Sequence, residues 1–161
     1  MKSAKILMIC AIAIGFPAMA MAQVSPFVSA QVDSAAKPCA DVAGAAAGQS
    51  DESAKAIATA ALQPCYAALQ ALDTFEKESG AGLTAEERNY FYYIGGNVIW
   101  MTAAAETMKN DGIVTPEICQ QAASAEQAWG NVRIDKSSQL YNDMLNNAIR
   151  GMLLPICTQA Q

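Results

Sequence analysis

The sequence predicts an all-α protein: a compact bundle of about five helices, with helical hairpins around a central apolar helix, stapled by two disulfides. Three observations carry this expectation. Apolar residues recur every three or four positions along most of the chain, which is the period of an amphipathic helix. No run of four to eight residues alternates as a half-buried strand would. The 17 residues from Asn89 to Ala105 include no charged side chain, and a helix that is apolar on most of its circumference is buried on most of it.

The first element is a leader. Lys2 and Lys5 precede an uninterrupted apolar run from Ile6 to Phe16, followed by Pro17 and the small-residue string Ala18-Met19-Ala20-Met21-Ala22. This is the order of a cleavable secretory signal peptide over residues 1–22, with cleavage expected after Ala22 and Ala20 as the alternative. The run is too short for a bilayer, which a helix crosses with about 20 apolar residues. Cys10 follows Leu7-Met8-Ile9 inside the apolar run and lacks the small preceding residue of a lipid-modified cysteine. Removing residues 1–22 leaves 161 − 22 = 139 residues, enough for one domain with a real core. It also takes away two lysines, so 8 basic side chains face 15 acidic ones, a net charge of −7. An acidic surface disfavours phosphate backbones and anionic lipid heads, so neither nucleic acid nor stable membrane insertion is expected.

Residues 23–37 hold a proline, serines and scattered apolar residues without evident period, and are expected to form a flexible N-terminal arm before a single helical domain, 38–161. Helical signals start at Pro38 and stop at Gly48, after which Ser50-Asp51-Glu52 supplies a cap and first-turn acids. From Asp51 to Ser79, Ile57, Ala61, Cys65, Leu69 and Leu72 advance by three or four. Pro64 makes this either one kinked helix or two. Gly80-Ala81-Gly82 breaks the chain, and Thr84-Ala85-Glu86-Glu87 has the spacing of a capping box for the central helix, which should end near Asn110 or Asp111. Thr115-Pro116-Glu117 opens the next helix, with Ile118, Ala122, Ala125 and Trp129 on one face. A last helix, capped by Asp135, is expected to close at Pro155.

Four cysteines follow the leader, Cys39, Cys65, Cys119 and Cys157. An even number at wide spacing in an exported chain implies two disulfides. Of three connectivities, Cys39–Cys65 with Cys119–Cys157 is favoured, because each would tie the far ends of a helical hairpin. Each loop closure is worth on the order of 3 kcal/mol.

The absence of histidine from the whole chain removes histidine-based nucleophilic catalysis, histidine zinc sites and histidine-ligated haem together. No metal site and no cofactor is expected. Ser34-Ala35-Ala36-Lys37 fits S-x-x-K but lacks the partner motifs of enzymes that use it. Glu78-Ser79 before Gly80-Ala81-Gly82-Leu83 faintly resembles elements of lytic transglycosylases, without their spacer, and a helix end with its glycine turn accounts for it better.

The densest feature is the aromatic cluster of Tyr90, Phe91, Tyr92, Tyr93 and Trp100 around Gly95-Gly96. Such a stripe is chiefly core. Four consecutive aromatics cannot all face inward, however, so Tyr92 is the expected anchor for a partner. The glycines imply close approach by a neighbouring helix or a ligand. Asn97 and Arg133 are the polar residues expected to be buried. Candidate binding residues are therefore Tyr92, Tyr93, Gly96, Asn97, Trp100 and Arg133. The expected function is non-enzymatic: a periplasmic, or alternatively secreted, protein that binds another protein. The alternatives are a carrier of a small apolar ligand near Tyr93, Gly96 and Trp100, and a cell-wall enzyme using Glu78.

Overall fold

The computed structural model describes residues 24–45 and 51–159, and these contain six α-helices, one short 3-10 turn and no strand. The helices are α1 (Pro26–Ala45), α2 (Asp51–Ser79), α3 (Ala85–Lys109), α4 (Pro116–Gly130), α5 (Gln139–Leu145) and α6 (Ala148–Gln159). The expected signal peptide, the Gly48 stop and the Ser50 cap lie outside the described residues.

Helix α3 is the axis. Thr84 forms the expected capping box, its hydroxyl accepting from the Glu87 N–H while the Glu87 carboxylate accepts from the Thr84 N–H. At the far end Asn110 is the C-cap, and Gly112 takes a φ of +80° as the chain turns away. Two adjacent stripes of this helix face inward. Phe91, Ile94, Val98, Met101 and Ala105 are buried, as are Tyr90, Asn97, Trp100 and Ala104.

The other helices cover α3 in alternating directions. The Ser25 side chain just before α1 reaches Glu87 at the start of α3, so these two helices run parallel. Lys55 near the start of α2 pairs with Asp111 beyond the end of α3, so α2 runs antiparallel. Trp129 near the end of α4 donates to the Tyr93 carbonyl near the start of α3, so α4 is antiparallel too. Helix α6 returns along α4, held by Arg150 on the Glu126 carboxylate (Nε–Oε1 2.6 Å) and by Cys157 on Cys119.

Four expectations need correction. The stretch 26–37 is not a flexible arm but the first turns of α1, with Val24, Val28, Val32 and Ala36 buried at intervals of four. Ser25 and Pro26 are the cap and first-turn proline of that helix. Pro38, expected as a helix start, lies inside it. Pro64 also lies inside a helix, a single continuous α2, which is the first of the two readings its sequence allowed. Each proline leaves one carbonyl without its ladder bond. Those carbonyls belong to Ser34 and Ala60, both exposed, so water can satisfy them. The last helix is divided instead of continuous. Asp135 closes a turn onto the Ser137 N–H, Ser138 caps α5, and the Asn147 side chain accepts from the Arg150 N–H to start α6. Pro155, expected to end that helix, lies within α6, which continues through Cys157 to Gln159.

The disulfides pair as Cys39–Cys65 and Cys119–Cys157, with Cα–Cα distances of 4.3 and 5.3 Å. The second joins the first turn of α4 to the last of α6, the far ends of that pair. The first sits mid-hairpin, because α1 starts a dozen residues earlier than expected and Cys39 is therefore interior. Closing loops of 26 and 38 residues restricts the unfolded chain by about 3–4 kcal/mol each. We expect the Cys39→Ala/Cys65→Ala variant, and separately the Cys119→Ala/Cys157→Ala variant, to lose about that much unfolding free energy in urea. A loss below about 1 kcal/mol for either pair would contradict the cross-link.

Candidate functional site

Three clusters bring chemistry-bearing side chains together. The first is the aromatic seam between α3 and α4. The Trp129 indole lies against Gly96 so closely that a Cβ on residue 96 would stand 2.2 Å from its Cδ1 and Nε1 atoms. The close approach expected at the glycines is therefore made by a neighbouring helix. Trp129 also packs on Trp100, with ring centroids 6.1 Å apart. Trp100 is fully buried, and its Nε1–H has no hydrogen-bond partner. Beside this seam Asn97 is buried, its Oδ1 accepting from Asn147 (3.3 Å). Burial raises the Tyr93 hydroxyl pKa above its ordinary value, opposed by a hydrogen bond from Asn97.

The structure thus gathers Tyr93, Gly96, Asn97 and Trp100, and adds Trp129, which fills the space cleared by the glycine. It does not add the Arg133 side chain. Arg133 is exposed, not buried as expected, and it meets α3 only through its backbone: its N–H donates to Asn89 Oδ1 (2.7 Å) and its carbonyl accepts from Asn89 Nδ2. Tyr92 is half-buried on the α2–α3 seam, edge-on to Phe91, with its hydroxyl donating to Glu76 (3.0 Å). Burial, and then the Glu76 carboxylate, raise its pKa. Tyr92 is held by its own fold and does not project freely. Glu78 is exposed. In the S-x-x-K match, the Ser34 hydroxyl donates to the Gln31 carbonyl and Lys37 pairs with Asp41, so the two do not interact.

The second cluster joins the starts of α1 and α3. Glu87 Oε1 accepts from both the hydroxyl (2.6 Å) and the N–H (3.3 Å) of Ser25, while Oε2 accepts from the Thr84 N–H (2.9 Å). One carboxylate thereby ties two helix N-termini, where the helix dipole also favours a negative charge. The Ser25 hydroxyl bond, followed by the Thr84 backbone bond, holds the Glu87 pKa down at about 2.

The third cluster is an open groove of about 530 Å³ along the outer side of α2 and the end of α3, lined by Thr59, Leu62, Gln63, Tyr66, Ala67, Gln70, Glu106 and Lys109. Tyr66 is 40% exposed, yet its hydroxyl is committed to Glu106 Oε1 (2.6 Å), so what it presents is mainly ring. Burial of the hydroxyl, then the bond to Glu106, raises its pKa. Gln121 of α4 opposes that rise, and its own buried Oε1 has no hydrogen-bond partner. Among the described residues no group of three or more acidic or cysteine side chains is placed to hold a metal ion.

Sequence reasoning missed Tyr66 because a lone tyrosine beside Cys65 is masked by the apolar stripe it interrupts. The partner of Glu87 lies in the segment expected to be an arm, where Ser25-Pro26 followed by Val28 and Val32 is the signal of a capped helix start. No protein-family model, curated protein or solved structure matches the chain.

The depressed Glu87 pKa sets a pH dependence. A glutamate ionises near 4.5 without these contacts and at about 2 with them, so the stabilisation it gives is complete above about 4.5 and is lost as pH falls toward about 2. Glu87→Gln has no proton to take up there. Its urea midpoint should fall less steeply across that window than the wild type's, and parallel slopes would contradict the assignment.

Proposed function

We propose that the protein is an exported binding protein that performs no covalent chemistry and holds its partner in the α2–α3 groove around Tyr66. The observation that carries this reading is the fixed ring of Tyr66. It is the one large aromatic side chain in the groove, it is 40% exposed, and its hydroxyl is held by Glu106. Pre-positioned aromatics of this kind bind at low entropic cost, since little side-chain freedom remains to be lost. The sequence favoured Tyr92 as the anchor and a second protein as the partner. The anchor now proposed is Tyr66, because its ring is 40% exposed whereas the Tyr92 ring is half-buried and packs on the core.

The other readings have less support. The space beside Tyr93, Gly96 and Trp100 is filled by the Trp129 indole, so an enclosed apolar ligand has little room there. Glu78 lies exposed on α2, outside the apolar pocket that a carboxyl acting as a general acid requires. Two disulfides, and the absence among the described residues of any helix long and apolar enough to cross a membrane, are compatible with an oxidising, extracytoplasmic environment. Within that environment we favour the periplasm over secretion, from the style of the leader.

A photo-reactive residue at Gln63 in the living cell should give a covalent adduct that disappears when Tyr66→Ala is added, while the fold, read by circular dichroism, persists. The same residue at exposed Lys136 should give none. Adducts from Lys136 but not from Gln63, or adducts at Gln63 indifferent to Tyr66→Ala, would refute this assignment.

A further inference from the structure

We infer that the groove around Tyr66 binds an uncharged glycan chain. This rests on the reading of the groove as the binding surface and names the chemistry of its occupant.

The first ground is charge. The only charged residues lining the groove are Glu106 and Lys109, one of each sign, and they lie 3.9 Å apart. Lys55 beyond its upper end is paired with Asp111. Local charge is therefore cancelled, in a protein that is acidic as a whole. An anionic or cationic ligand gains little from such a surface.

The second ground is the pattern of side chains. Thr59, Gln63, Tyr66 and Gln70 follow one another at intervals of four, three and four on the exposed side of α2. That interval places them in one row on the helix, spanning about 16 Å, the reach of a short oligosaccharide. Each glutamine amide both donates and accepts, while the Thr59 hydroxyl, whose proton is on the Lys55 carbonyl (2.8 Å), still accepts, and sugar hydroxyls complement both by donating and accepting. The third ground is the aromatic platform in mid-row. With its hydroxyl held by Glu106, Tyr66 offers its ring, whose electron-rich face attracts the weakly positive C–H groups of a sugar.

Apolar exposure in the groove is confined to that ring and Ala67, since Leu62 is only 7% exposed. An amphipathic partner helix, which docks several apolar anchors into a groove, has no matching pockets here. The polar row and single platform match a glycan better than a lipid or a helical peptide.

The test is a titration of the oxidised, full-length mature protein, followed by amide NMR, with three uncharged tetrasaccharides: cellotetraose, maltotetraose and the tetramer of N-acetylglucosamine. At least one should shift the amides of residues 59–70 in a saturable way, with an affinity unchanged by added salt. Tyr66→Ala should weaken it about tenfold, while Tyr66→Phe, which keeps the ring, should change it less than about twofold. Failure of all three sugars to move those amides, a steep salt dependence, or equal binding by Tyr66→Ala would overturn the inference. If the sugars fail while a photo-reactive Gln63 still captures a polypeptide in a Tyr66-dependent way, the groove stands as the binding surface and the glycan assignment falls.

Discussion

The structure depends on the need to bury α3 on nearly every side. Between Asn89 and Ala105 that helix offers water no charge, and Val98, Trp100 and Ala103 have no exposed surface at all. Burying a side chain the size of Trp100 is worth several kilocalories, since truncating such a residue to alanine costs about 3–5 kcal/mol. No single neighbour can cover a whole cylinder. Helices α1 and α2 take one side, with Phe75 on Phe91 and the Asp33 carboxylate on the Tyr90 hydroxyl, and α4 with α6 takes the other, through Trp129 and the Asn147–Asn97 bond. The two disulfides each join helices on the same side of α3, so they act as clips on either half of the sleeve.

The prolines make sense in that setting. Pro38 and Pro64 interrupt the hydrogen-bond ladders of α1 and α2, and each is immediately followed by a cysteine of the Cys39–Cys65 bond. The covalent link therefore falls where both helices are locally weakest. Ala36, Ala61 and Ala68, each about one helical turn from one of these cysteines, are buried small side chains, and the two cysteine Cα atoms stand 4.3 Å apart. At the other clip Pro155 precedes Cys157 within α6, and the Arg150–Glu126 pair supports the joint from the side.

Fold class, the central helix, its capping box and the cysteine pairing were all legible, because each follows from local chemistry or from the period of apolar residues. What was not legible depends on competition between signals. Pro38 reads as a beginning because proline favours the first turn, whereas the four-residue spacing of Val24, Val28, Val32 and Ala36 outweighs one lost hydrogen bond. Asn146-Asn147 split the last helix because the Asn147 side chain caps a new turn more readily than asparagine continues an old one. The candidate site was half legible. Tyr93, Gly96, Asn97 and Trp100 do converge, but what occupies the space at Gly96 is Trp129, from 33 residues further along the chain, and no local pattern announces such a pairing. Tyr66 stands out only once α2 and α3 are assembled, since Glu106, which holds its hydroxyl, comes from another helix.

The groove inherits its rigidity from this architecture. Its floor residue Leu62 packs with Ala58 on Ala105 of α3, and its wall residue Glu106 is one position further along that same helix. A surface so supported is suited to selecting a partner without reshaping itself. Residue-resolved amide hydrogen exchange on the oxidised protein tests the sleeve most directly. Amides from Ile94 to Ala105 should exchange only through global unfolding and be the slowest in the molecule, while those of the short, peripheral α5 exchange orders of magnitude faster. Exchange in α3 as fast as in α5, or a slow core confined to α1 and α2, would contradict a fold built around a buried central helix.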